Sequence, residues 1–172
     1  VRFIAETDSL NSSILAPDAV AGTPEFDLYV REVAREMTVK AGQKCTAIRR
    51  ALVPRRAVGE VVSALQRALG KIVVGDPRLA DVRMGPLASI DQQSEVRQRV
   101  AELRGEAELV CGNPDDFTVT GAERTRGAFM PPLLLLCNSP ARARAVHEVE
   151  AFGPVATVLP YDDIPEAIAL AR

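Results

Sequence analysis

Val39-Lys-Ala-Gly-Gln-Lys-Cys-Thr-Ala-Ile-Arg-Arg50, running on into Ala51-Leu-Val-Pro54, is the stretch that decides the fold. Upstream of it, Phe26, Val30, Val33, Ala34 and Met37 recur at helical spacing, which predicts an amphipathic helix reaching Lys40. Thr23 reads as its N-cap with Pro24 at the first helical position, and Gly42 as its stop. Downstream, Ala51 to Pro54 reads as a buried strand. The order helix, polar turn, apolar strand is that of an α/β unit, and it leaves Cys45 at the chain reversal beside backbone N–H groups. That makes Cys45 a candidate nucleophile.

Further out the alternation continues. Val58, Val61, Val62, Leu65 and Leu69 predict a second amphipathic helix over 57–69, ended by Gly70. Lys71 to Val74 reads as a short strand, and 75–89, with two prolines and two glycines, as a long ordered loop. Ile90 to Arg104 reads as a third helix. Ala107 to Cys111 and Phe129 to Cys137 read as strands around an irregular segment, the second apolar on both faces as in a covered sheet. Ala141 to Glu148 is a short helix or turn, Val155 to Leu159 a strand, and Ile164 to Arg172 the start of another helix. Toward the amino end, Val1 to Ala5 and Asn11 to Ala16 read as two short strands with Glu6 at the turn between them. Strands alternating with helices give an α/β domain: three layers, a mostly parallel sheet and helices on both faces.

The 172 residues are 47% hydrophobic and 26% charged, with a formal net charge of −2, which is the balance of one soluble domain with a sizeable core. Nothing in that charge attracts nucleic acid or an anionic membrane. No run nears the roughly 18 apolar residues of a membrane span. The three cysteines show no CxxC or His-rich cluster, so neither a disulfide scaffold nor a metal site is expected, and a reducing, cytoplasmic setting is. No GxGxxG or P-loop is present, so no nucleotide-phosphate cradle is expected within 1–172. Both ends read as cut, which makes the expectation that of a piece of a longer polypeptide.

Four residues carry the chemistry. A cysteine in a domain is commonly a small buried hydrophobe, and Cys111 and Cys137, at the ends of apolar strands, are read that way. Cys45 differs by its polar turn, where Lys44 and nearby N–H groups would favour the thiolate. Glu6 has the plain alternative of a solvated loop carboxylate. Glu150 and Phe152 lie in His147-Glu-Val-Glu-Ala-Phe-Gly-Pro-Val155, whose Phe-Gly-Pro corner is by itself an ordinary turn with Phe152 in the core. His147, the single histidine, has no neighbours in sequence that make a Cys-His apparatus.

Taken together, these motifs resemble the aldehyde dehydrogenase superfamily. Gly42-Gln43-Lys44-Cys45-Thr46 is similar to its catalytic-cysteine signature, and Glu150-Ala-Phe-Gly-Pro-Val to its Glu-Ile-Phe-Gly-Pro-Val motif. Gly75-Asp76-Pro77 with Gly85-Pro86-Leu87 is similar to a conserved loop of the family. The resemblance covers nearly the whole chain and implies a catalytic domain over 1–172, without the family's dinucleotide-binding domain and final segment. It implies that Cys45 attacks an aldehyde, that Glu6 is the general base, and that Glu150 and Phe152 hold the nicotinamide end of NADP or NAD. It also implies an oxyanion hole from the cysteine's own N–H and an Asn of the absent domain. At Glu6 the family pattern Glu-Leu-Gly-Gly-Lys is replaced by Glu6-Thr-Asp-Ser-Leu-Asn, and Asp8 is the alternative carboxylate.

Ser9-Leu-Asn-Ser-Ser-Ile-Leu15, Gly22-Thr-Pro-Glu-Phe-Asp27 and the run from Arg35 to Arg50 are similar to the ring-opening semialdehyde dehydrogenases of aerobic aromatic catabolism. The phenylacetate-degradation group, often fused to a MaoC-like hydratase domain, is the nearer resemblance, and the benzoyl-CoA-pathway enzymes come second. Both imply a CoA-linked semialdehyde substrate, and the family implies a homo-oligomer, usually a dimer. A CoA-acylating relative, or a non-catalytic α/β oligomerisation module with Cys45 inert, are the alternative expectations.

Overall fold

The computed structural model describes Arg2, Phe3 and residues 10–172. In chain order the elements are β1 (Ser12–Ile14), α1 (Pro24–Thr38), β2 (Arg50–Pro54), α2 (Val58–Leu69), α3 (Ile90–Leu103), β3 (Glu108–Cys111), β4 (Leu133–Leu136), α4 (Ala145–Glu148), β5 (Val155–Tyr161) and α5 (Ile164–Ala171). The five strands form one sheet in the order β1-β2-β5-β4-β3. All neighbours run parallel except β3, which pairs antiparallel with β4 at one edge. The α/β class and mostly parallel sheet expected from the sequence are what the structure shows.

The pleat explains the layers. On β2, Leu52 points to one side while Ala51 and Val53 point to the other; on β4, Leu133 and Leu135 oppose Leu134. One apolar cluster joins Ala51, Val53, Leu134 and Val158 to Phe26, Val33 and Met37 of α1 and Val61 and Leu65 of α2. The other joins Leu52, Leu133, Leu135 and Leu159 to Val96 and Val100 of α3, Val146 of α4 and Leu170 of α5. Covered on both faces, β4 and β5 need no polar face, which is why they are almost wholly apolar.

Local chemistry sets most boundaries. The Thr23 hydroxyl accepts from the Phe26 N–H and Pro24 follows it, so α1 starts where expected. Ser89 caps α3 and Asp163 caps α5 in the same way. The α1 phenol Tyr29 donates to the Ser13 carbonyl at 3.2 Å and the Leu52 carbonyl at 3.1 Å, tying the helix to β1 and β2. Burial holds that phenol well above its usual range.

Three sequence expectations are corrected. α1 ends at Thr38, not Lys40, because the chain turns left-handed before Gly42. Lys71 to Val74 is no sheet strand: Val74 and Gly75 make only isolated bridges, to Met84 and Thr120, outside the sheet. The strand expected from Phe129 starts at Leu133, since Pro131 and Pro132 have no N–H to give a ladder. Of the expected strand over 1–5, Arg2 and Phe3 carry no regular structure and the rest lies outside the described residues. Glu6 and Asp8 lie outside them too.

Leu134 on β4 is wholly buried on the face covered by α1 and α2. Leu134→Ala is expected to lower unfolding stability by about 2–5 kcal/mol, read from a denaturant midpoint. A change under about 1 kcal/mol would contradict a tightly filled core position.

Candidate functional site

Between α1 and β2 the backbone makes an unusual turn. Lys40 and Ala41 both take left-handed conformations, at φ 54° and 51°, followed by Gly42 at 70°. For residues with a Cβ this costs on the order of 1–2 kcal/mol each, so the surroundings must enforce it. At Gly42 no other residue fits: a Cβ there would stand 2.1 Å from the Gly153 carbonyl oxygen. The turn is thus pressed directly against the Phe152-Gly153-Pro154 corner, and the two motifs separated by about a hundred residues meet backbone to backbone.

Arg49 joins them with its side chain. Its guanidinium is buried, 4% exposed, and donates from Nη1 to the Gly153 carbonyl at 2.7 Å and from Nη2 to the Gly42 carbonyl at 2.8 Å. Nε donates to Glu150 Oε1 at 3.2 Å. The same cation stands 5.3 Å from the centre of the Phe152 ring. Burial lowers the Arg49 pKa, and Glu150 beside it opposes that, so the group stays a cation with its charge matched.

Other contacts fix the turn on its remaining sides. The Gln43 side chain donates to Gln92 Oε1 at 3.1 Å and accepts the Ala88 N–H at 2.8 Å, tying it to the 85–89 loop and α3. The Asn11 side-chain amide donates to the Cys45 and Ala47 carbonyls, and the Asn11 carbonyl accepts the Arg49 and Arg50 N–H groups. Arg50, also buried, donates to the Leu10, Leu170 and Ala171 carbonyls and so closes the last turn of α5. His147 Nε2 faces the Pro140 carbonyl, which can only accept, so Nε2 carries the proton and Nδ1 accepts from Arg50. The single histidine is a structural latch.

Cys45 itself is exposed, whereas Cys137 is buried and Cys111 half-buried. Glu150 is partly exposed and Phe152 sits at the surface, 36% exposed, not in the core. The structure therefore links the turn that carries Cys45 to the corner of Glu150 and Phe152 through Arg49, while Glu6 lies outside the described residues. Lys44 also has a partner that the sequence did not show: its ammonium is held at 2.7 Å by both oxygens of Glu36 on α1. Among the described residues no group of three or more His, Cys, Asp or Glu is placed to hold a metal ion. No helix among them is long and apolar enough to cross a membrane.

Chemically, the linked turn and corner offer a thiol, a carboxylate and an apolar ring. Among the described residues Glu150 receives a hydrogen bond at Oε1, which leaves Oε2 able to accept another. Arg49, Gln43, Asn11 and Glu36 were missed by the sequence reading. A signal did exist for Arg49: two consecutive arginines leading into a strand expected to be buried must find partners.

The family model for the aldehyde dehydrogenase family matches residues 1–172, and the chain belongs to that family. It is 51% identical over 172 residues to the 3,4-dehydroadipyl-CoA semialdehyde dehydrogenase of Aromatoleum evansii, covering all of this chain and 33% of that protein. It is 41% identical over 90 residues to Protein MaoC of Klebsiella aerogenes, covering 52% of this chain and 25% of that protein. Among solved structures, a mutant of aldehyde dehydrogenase C from Pseudomonas syringae, complexed with NAD+ and octanal, superposes with a TM-score of 0.78 at 32% identity, over 95% of this chain and 32% of that one. The chain spans about a third of the length of these full relatives.

The three thiols should be distinguishable by alkylation. Burial pushes both Cys111 and Cys137 up, so their thiolates are scarce at neutral pH and label only as pH rises past the usual thiol range. Iodoacetamide with peptide mass spectrometry at neutral pH is expected to label exposed Cys45 first. Equal rates at all three would show that the turn does not present the thiol.

Proposed function

We propose that this chain is the catalytic part of an NAD(P)-dependent aldehyde dehydrogenase that oxidises a CoA-linked semialdehyde to the carboxylic acid. The observation that carries the reading is the joining of an exposed Cys45 to the Glu150–Phe152 corner by one buried arginine. The substrate class is supported by the 51%-identical relative, whose name specifies a CoA-linked semialdehyde. Aerobic phenylacetate degradation is the pathway favoured by the sequence motifs. The similarity to Protein MaoC supports a fused hydratase arrangement. A cytoplasmic location and a homo-oligomer, usually a dimer in the family, complete the proposal.

In this mechanism Cys45 Sγ attacks the aldehyde carbon and forms a thiohemiacetal, whose oxyanion is met by the backbone N–H of the cysteine. A nicotinamide held there would supply the hydride acceptor for oxidation of the Cys45 adduct to the thioester. Glu150 and Phe152 fit that group, the first by its open carboxylate oxygen and the second by its exposed ring face. Glu6 takes one proton from the deacylating water, whose hydroxide attacks the thioester carbonyl, breaks the C–S bond and releases the acid with the Cys45 thiolate. In this proposal the rest of the nucleotide is held by a dinucleotide-binding domain of the full-length enzyme, which turnover needs.

The test uses the full-length enzyme with a CoA-linked semialdehyde and NAD or NADP, following reduced nicotinamide. Cys45→Ala is expected to lower kcat by more than about a thousandfold with the protein still folded. Turnover retained in Cys45→Ala would overturn the assignment of the nucleophile. Recovery of the free acid supports hydrolysis, while recovery of a second CoA thioester would place the enzyme with the acylating relatives.

A further inference from the structure

The Arg49 guanidinium does more than fill space. Among the described residues it is the one side chain that touches the cysteine turn, the Gly153 carbonyl, the Glu150 carboxylate and the Phe152 ring at once. Its own backbone is fixed as well: the Arg49 N–H donates to Asn11, and its carbonyl accepts from Thr157 of β5. A planar fork with five N–H donors can hold partners in several directions at once, whereas an ammonium on a flexible stem cannot replicate that spread. The Gly42 carbonyl is three residues before Cys45, and its N–H···O bond to Arg49 is 2.8 Å.

We propose that Arg49 is a positioning residue that sets the Glu150 carboxylate for the nicotinamide-side sugar and couples occupancy of that carboxylate to the geometry of the Cys45 turn. This rests on the reading of Glu150 and Cys45 given under Proposed function. Because Arg49 occupies Oε1, the carboxylate cannot rotate freely, and Oε2 is the oxygen presented to a ligand. A ligand hydroxyl bound at Oε2 withdraws electron density from the carboxylate and weakens its hold on Nε. The guanidinium then shifts its share of bonding toward the carbonyls of Gly42 and Gly153, which are the contacts that shape the turn. Without Arg49, Glu150 loses its paired orientation and the left-handed run at Lys40, Ala41 and Gly42 loses a principal restraint.

The experiment uses the full-length enzyme and its Arg49→Met, Arg49→Lys, Glu150→Gln and Arg49→Met/Glu150→Gln variants. Two quantities are read: the KM for the nicotinamide cofactor beside kcat, and the rate of Cys45 alkylation by iodoacetamide with and without that cofactor. Arg49→Met is expected to raise the cofactor KM about tenfold or more, the loss of a charge-assisted hydrogen bond, and to abolish the effect of cofactor on Cys45 labelling. Glu150→Gln added to Arg49→Met should raise KM little further, because both changes break one pair. Arg49→Lys should recover part of the KM and little of the labelling effect.

Wild-type cofactor KM and cofactor-dependent labelling in a folded Arg49→Met enzyme would overturn the proposal. Should Arg49→Met fail to fold, Arg49→Lys decides: both quantities unchanged from wild type overturn it, and a raised KM with weakened labelling response supports it. If the wild-type enzyme reduces no nicotinamide, the reading of the reaction fails; cofactor-dependent labelling of Cys45 then still tests the Arg49 coupling, and its absence in the wild type overturns it.

Discussion

A guanidinium withdrawn from water is costly unless every direction it points in meets an acceptor, and Arg49 meets that condition by drawing two distant parts of the chain together. The turn before Cys45 and the corner after Glu150 cannot relax independently while this cation lies between them. Removing any single partner would leave charge or carbonyl dipoles stranded in a dry place, so the arrangement is cooperative. The site is therefore a property of the fold: Arg49 stands immediately before β2, and β5, the parallel neighbour of β2, starts just after the corner the arginine holds.

The second constraint is steric. Three successive left-handed residues form only because Gly42 lies flat on the Gly153 carbonyl, where any side chain would collide. That close approach turns the chain sharply enough to leave Cys45 on the outside of the bend. Gln43, reaching to Ala88 and Gln92, and Asn11, holding the Cys45 carbonyl, keep the bend from swinging. A thiol held by backbone contacts on both sides is presented in a defined direction, which is what attack on a carbonyl carbon requires.

Much of this was legible in the sequence, and the reason is periodicity. The helical spacing of Phe26, Val30, Val33 and Met37 and the unbroken apolar run of β4 encode burial directly, so the α/β class and covered sheet follow from residues alone. The exposed position of Cys45 was anticipated by its turn chemistry. What the sequence hid was pairing. Nothing local distinguishes Arg49 from Arg50, yet one holds the corner and the other seals α5. Lys44 beside the cysteine read as a charge near the thiol, and its ion-pair partner Glu36, in the last turn of α1, was not visible in the sequence. Such partners are set by three-dimensional proximity, to which spacing along one chain is blind. The proline-delayed start of β4 and the loss of a strand at Lys71 to Val74 are milder cases, decided by which N–H groups find a ladder.

The central claim is that the turn held by Arg49 presents Cys45 as the nucleophile, and a covalent adduct tests it most directly. The full-length Glu6→Gln enzyme would be mixed with a CoA-linked semialdehyde and NAD or NADP, quenched in acid and mapped by peptide mass spectrometry. The account predicts one acyl group, on Cys45, because deacylation is blocked after the thioester forms. An adduct on Cys111 or Cys137, or normal turnover with no adduct at all, would contradict it.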